Sequence, residues 1–155
     1  MIFAGVSRAG RAPLVVLRSG FKFNQFKYEE KCLDFVQKNL PYPLEAEEVI
    51  FYQDEAPCHA AKTVQSHLAA IFPAFIPNDR MLPNSPDFNV PDFCVWSMLK
   101  QRLVKYGLIS SFEKLKKILK KEWDDIPQQA IQDSVDTWQG RVRRVEKARG
   151  GHIEK

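Results

Sequence analysis

Two carboxylates stand where a sheet-based site could use them. The apolar run Val49-Ile50-Phe51-Tyr52 leads into Gln53-Asp54-Glu55-Ala56-Pro57-Cys58-His59, and Asp92 follows with 37 residues between it and Asp54. A strand of this kind delivers Asp54 at its carboxyl end, where the loops of an α/β sheet diverge and leave a crevice. Asp92 falls in the first turn of a helix that opens after Asn89, with Pro91 placed where its missing N–H is harmless. Carboxylates brought together in this way are the hard oxygen donors that Mg²⁺ prefers. Two such ions held about 3.5–4 Å apart activate a nucleophile and stabilise the leaving oxygen in phosphodiester chemistry. Spacing alone leaves plainer roles open: Asp54 as a helix cap, Asp92 as a partner of the helix dipole.

The elements that must position these residues follow from periodicity. Ile2–Ser7 and Pro13–Arg18 are β-type runs around a turn, Arg8-Ala9-Gly10-Arg11, and predict a hairpin. A helical stripe through Tyr28, Cys32, Phe35 and Val36 predicts a helix over Asn24–Leu40, ended by Pro41 and Pro43. Val49–Gln53 is the next strand. Ala61, Val64, Leu68 and Ile71 then mark one face of a helix that stops before Pro73, and Phe72–Ile76 reads as a short strand. Residues 77–91 are rich in proline and polar turn formers and predict a loop. Three helices complete the chain: Val90–Tyr106, one opened by the capping box Ser110-Ser111-Phe112-Glu113 and ending near Trp123, and one carrying Ile131, Val135, Trp138, Val142 and Val145 up to Gly150-Gly151. The order is that of an α/β domain.

At 155 residues, 45% of them hydrophobic and 27% charged, the chain is the size of one globular domain. It has no apolar run long enough to span a membrane and no signal-peptide pattern, so a soluble, intracellular protein is expected. Its three cysteines, Cys32, Cys58 and Cys94, form no Cys-x-x-Cys and suit a reducing compartment. Charge is uneven. Residues 1–99 hold 9 Lys/Arg against 11 Asp/Glu, whereas residues 100–155 hold 14 against 8. The basic surplus suits a polyanion such as DNA, with Arg141, Arg143, Arg144, Lys147 and Arg149 as the candidate contacts. A merely solvated helix face explains the same residues. Cys58-His59 is a poor thiol or zinc site, because adjacent side chains diverge and no second ligand pair exists. Trp96, Trp123 and Trp138 fall on apolar helix faces and read as core rather than as stacking platforms.

Gln53-Asp54-Glu55-Ala56-Pro57-Cys58-His59 is similar to the QDNAPxH segment of mariner-type transposases, part of the Tc/mariner superfamily of DDE enzymes. Ser85-Pro86-Asp87-Phe88-Asn89-Val90-Pro91-Asp92-Phe93-Cys94-Val95-Trp96 resembles their SPDLNPxDxxxW segment. The likeness reaches both ends: Gly5–Val15 resembles the hairpin of that core, and Lys147-Ala148-Arg149-Gly150-Gly151-His152 its terminal AKGGH. Glu55 stands where the family has Asn, and Val90-Pro91 inverts the usual order before Asp92.

The resemblance implies a ribonuclease H-like (DDE integrase/transposase) α/β core with extra C-terminal helices, spanning residues 1–155. It implies that Asp54 and Asp92 are catalytic and metal-binding, matching the second and third acids of a triad, with Mg²⁺ or Mn²⁺ as cofactor. It implies DNA as partner, both transposon ends and target, and a nuclear location. The first acid of the family lies on a strand preceding the hairpin, in a sheet ordered third, second, first, fourth, fifth. The chain therefore reads as an N-terminally truncated core lacking its first, central strand and the helix-turn-helix region. Exposed strand edges would then favour aggregation, homo-oligomers or pairing with an upstream transposase segment. Three readings result: an incomplete DNA strand-transfer enzyme, inactive alone; a non-catalytic DNA- or partner-binding remnant using the basic C-terminal helix; and a decayed element.

Overall fold

The computed structural model describes residues 1–18, 20, 23–40, 49–81, 85–151 and 153. In the hairpin, β1 (Ile2–Phe3) pairs antiparallel with β4 (Val15–Val16), and β2 (Val6–Ser7) with β3 (Gly10–Arg11). Phe3 faces Val15 but Val6 faces Arg11, so Ala12-Pro13-Leu14 oppose only Ala4-Gly5. The extra residue is a bulge, a position that tolerates the proline without a ladder N–H. The turn is tighter than expected, because Gly10 and Arg11 join the strand and leave only Arg8-Ala9 at the tip. β5 (Ile50–Phe51) and β6 (Ala74–Phe75) pair in parallel, joined across α3 (Lys62–Ile71).

Alternation along the strands separates two cores. Phe3, Phe51 and Phe75 pack on a cluster of Tyr28, Cys32, Leu33, Val64, Leu68 and Phe72. Ala4, Val6, Leu14 and Val16 turn the other way, toward Val95, Leu99, Leu119, Trp123, Ile126 and Ile131. The hairpin and β5 therefore lie in one sheet layer between two helical layers. The first layer holds α1 (Gln25–Tyr28), α2 (Asp34–Lys38) and α3. The second holds α4 (Trp96–Val104), α5 (Phe112–Asp124), α6 (Gln128–Asp136) and α7 (Trp138–Lys147). Among the described residues no strand joins the hairpin to β5, and the two edges do not pair with each other.

Several helix ends differ from the sequence reading for local reasons. The first helix begins at Asn24 as expected, its side chain accepting from the Lys27 N–H at 3.1 Å, but widens into a π-turn over Glu29–Leu33 that seats buried Cys32 and Leu33. Pro41 and Pro43 lie outside the described residues. The capping-box register is off by one: Ser111, not Ser110, accepts from the Lys114 N–H at 3.2 Å. The expected single C-terminal helix divides at Thr137 into α6 and α7, while keeping Ile131 and Val145 buried. Asn89 does not cap its helix with its side chain, and the first turn is another π-turn, Pro91–Val95.

Glu122 on α5 is fully buried and receives a hydrogen bond from Tyr106 Oη, with Lys105 Nζ 2.9 Å away. These partners hold its carboxyl at about 2, below the usual 4.5. A depressed acid contributes stability that is present above its unfolded value and is lost as pH falls toward its folded value. Glu122→Gln is therefore expected to be less stable than wild type at neutral pH, with the difference shrinking as pH falls from about 4.5 to about 2. Thermal melts of both proteins across that range check it; a difference independent of pH contradicts the role of charge.

Candidate active site

Gln53 continues β5 into the interior, and Asp54 emerges at its carboxyl end. Asp54 Oδ1 lies 2.7 Å from His59 Nδ1 and accepts from the Ala56 N–H at 3.2 Å. The hydrogen bond from His59 holds the Asp54 carboxyl below its usual range, against the opposing effect of burial. His59 is itself buried beneath Tyr28, whose ring centroid is 4.1 Å away, so the imidazole is a fixed support for Asp54. It sits in the turn ahead of α3. Tyr28 in turn donates to Gln53 Oε1 at 2.6 Å. The sequence reading missed this Tyr28–Gln53–His59 support; the apolar stripe concealed Tyr28, and only a buried polar group beside Asp54 could have signalled it.

Asp92 reaches the same place from the opposite layer. Asp54 and Asp92 line one cavity of about 290 Å³ with Tyr52, Glu55, Ser85 and Asn89. Asn89 Nδ2 donates to Asp92 Oδ2 at 2.8 Å. Burial raises the Asp92 carboxyl above its usual range, and the charge on Asp54 adds to the effect, opposed by hydrogen bonds from Asn89 and Trp96. A half-buried carboxylate whose ionisation is disfavoured by burial and by a neighbouring carboxylate is what an intervening cation would relieve. The donor set thus fits a hard divalent ion. Among the described residues, however, no group of three or more His, Cys, Asp or Glu side chains converges on one point.

The presentation of Asp92 depends on α7. Trp138 Nε1 donates to Phe88 O at 2.9 Å, and the Arg141 guanidinium stacks 3.6 Å from the Phe93 ring centroid. Arg141 Nη1 also donates to Asp87 O at 3.4 Å and lies 3.9 Å from Asp87 Oδ1, both residues being buried. This corrects the expectation for Arg141. It does not project with the basic face but holds the turn that leads into Asp92. Arg143, Arg144, Lys147 and Arg149 are exposed. Arg141→Ala is expected to cost about 3 kcal/mol, because it removes the buried guanidinium's stacking on Phe93 together with its hydrogen bond and ion pair to Asp87. Denaturant unfolding measures this, and a cost below about 1 kcal/mol contradicts the clamp.

With this geometry described, the chain can be compared with known proteins. No protein-family model matches it, and no curated protein does. Solved structures do. The structure of Mos1 transposase catalytic domain and raltegravir with Mn is 20% identical, with a TM-score of 0.83 over 99% of this chain and 76% of that one. The crystal structure of the Mos1 mariner paired end complex with Mn is similar at 20% identity and TM-score 0.83, covering 99% of this chain and 44% of that one. The Mos1 strand transfer complex matches at 19% identity and TM-score 0.83, over 99% and 43%. The fold is therefore that of a mariner transposase catalytic domain, a ribonuclease H-like α/β core. No helix among the described residues is long and apolar enough to cross a membrane.

Proposed function

We propose that this chain is the catalytic-core portion of a mariner-type DDE transposase, acting in DNA transposition. The observation that carries the reading is the meeting of Asp54 and Asp92 at one cavity, within a fold that matches the Mos1 catalytic domain along 99% of the chain. Asp54, braced by His59, and Asp92, braced by Asn89, would hold Mg²⁺ or Mn²⁺. When bound, such an ion supplies Lewis-acid stabilisation of phosphodiester cleavage and strand transfer. Arg143, Arg144, Lys147 and Arg149 would contact the DNA backbone, and the resemblance to mariner-type transposases implies a nuclear location.

Two carboxylates hold one ion but do not fix a two-metal geometry. With Mg²⁺ or Mn²⁺ added, the chain is accordingly expected to leave supercoiled plasmid DNA intact. Nicking by the wild type that disappears in Asp54→Ala contradicts this, and makes the described residues a sufficient site. The second reading, a non-catalytic DNA-binding remnant, is favoured by the exposed cations of α7 and its tail. It requires that DNA binding be indifferent to Asp54→Asn and to divalent ions.

A further inference from the structure

We infer that the lysine-rich outer face of α4 and α5 is a second surface for the backbone of duplex DNA, apart from both α7 and the Asp54–Asp92 cavity. The inference rests on the reading of DNA as the partner, but on a different face and different residues. Charge along the chain points there first. Residues 100–122 hold 8 Lys/Arg against 2 Asp/Glu, whereas residues 123–155, which include α7, hold 6 against 6. The basic surplus of the C-terminal third therefore lies on α4, α5 and the turn between them.

The fold gathers that charge and leaves much of it unneutralised. On α5, Ile118, Leu119, Glu122 and Trp123 are buried, and Lys114, Lys117, Lys120 and Lys121 stand exposed on the other side. Buried Glu122 draws in cations from both helices: Lys105 Nζ at 2.9 Å, Arg102 Nη1 at 3.6 Å and Lys121 Nζ at 3.6 Å. One carboxylate thus joins the end of α4 to α5 and meets three cations. The acids that could quench the other lysines are engaged elsewhere. Glu113, one turn before Lys117, lies 3.3 Å from Arg18 Nη2, and the charge of Asp124, one turn after Lys120, acts on Arg11 of the hairpin. Among the described residues, Lys100, Lys114, Lys116, Lys117 and Lys120 have no ion-pair partner. Like charges three and four positions apart oppose a helix, so a face that only solvates α5 would alternate its signs, as Lys121 and Asp125 do at 2.8 Å.

The chemistry of the face selects a duplex. Lys114, Lys117 and Lys121 form one row and Lys116 and Lys120 the next, repeating about every 5–6 Å along the helix axis. A partner that engages both rows needs regularly repeated negative charge, which a phosphate backbone supplies. Single strands are held instead by stacking of bases on open aromatic rings. Here Arg18 covers the Phe112 ring at 5.0 Å and Lys105 the Tyr106 ring at 5.2 Å, so both rings are already occupied by cations. The face also stands clear of the carboxylates. Among the described residues, none of α4 or α5 lines the Asp54–Asp92 cavity. Lys105 lies roughly 20 Å along the helix from Asp92 at about 1.5 Å per residue.

The test uses the whole chain and a fluorescein-labelled duplex of about 20 base pairs and arbitrary sequence. With Arg143, Arg144 and Lys147 replaced by alanine, binding near 0.05 M salt is expected to persist through α4 and α5. Adding Lys114→Gln, Lys117→Gln and Lys120→Gln should weaken that binding at least about tenfold and flatten its log–log salt dependence by about 2.7. All three positions are exposed and Gln is close to Lys in helix propensity, so thermal melts should not change. Arginine at the same positions keeps the charge and should keep the affinity within about threefold. A single strand of equal length should bind this face at least about fivefold more weakly. Residual binding that ignores the glutamine substitutions, or its complete absence once the α7 cations are gone, overturns the inference and leaves the proposed function standing. Failure of the wild type to bind duplex overturns both. Equal affinity for the single strand overturns the duplex assignment in favour of a generic polyanion face.

Discussion

Replacing Arg143, Arg144 and Lys147 together with alanine is expected to weaken binding to duplex DNA on the order of 100-fold near 0.15 M salt. All three side chains are exposed, and they project from α7 while Val145 anchors its opposite face in the core. Each contact with a phosphate releases counterions, so the log–log salt dependence should flatten by about 0.9 per residue removed, about 2.7 in all. The loss should be even across DNA sequences, since backbone contacts carry no base readout. Arg141→Ala behaves differently: its guanidinium is committed to Phe93 and Asp87, so it lowers stability and leaves the salt slope unchanged. Titrating labelled duplex at several salt concentrations separates the outcomes. An unchanged slope in the triple variant leaves these cations as solvation of the helix alone.

Trp123→Ala is expected to be the most destabilising of the single substitutions considered, costing about 3–5 kcal/mol. Trp123 is almost fully buried, and its Nε1 donates to Ala12 O at 3.0 Å while its own carbonyl accepts from Arg11 Nη1 at 2.6 Å. It thus ties α5 to the hairpin both through packing and through the backbone at the bulge. Truncation opens a cavity against Leu119 and Ile126 and strands the Ala12 carbonyl. Trp123→Phe keeps most of the volume and loses the hydrogen bond, so it should cost about 1–3 kcal/mol. Denaturant unfolding of both variants checks the ranking; near-equal costs would assign the whole effect to the hydrogen bond.

The positions of Asp54 and Asp92 were legible because each sits next to a strong local signal, an apolar strand end and a proline-opened helix. Strand and helix identities followed from the same periodicities. What escaped the sequence was long-range. Arg141 is one of five cations within nine residues, and nothing local distinguishes it from Arg143 or Arg144. Only the arrival of Phe93 and Asp87 beneath α7 draws it inward. The division at Thr137 was hidden because Ile131 and Val145 keep their apolar register across it. The hairpin bulge likewise depends on pairing, which no single run of residues encodes.

The account turns on Asp54 and Asp92 forming one cation site, and titrating Mn²⁺ into the isotopically labelled chain tests it most directly. Paramagnetic broadening of amide resonances should be saturable and centred on the shared cavity, strongest at Asp54, Ala56, Asn89 and Asp92. It should be lost in a chain carrying Asp54→Asn and Asp92→Asn whose amide spectrum elsewhere is unchanged. Broadening that is diffuse and unsaturated, or that persists around the cavity in the double variant, contradicts the account.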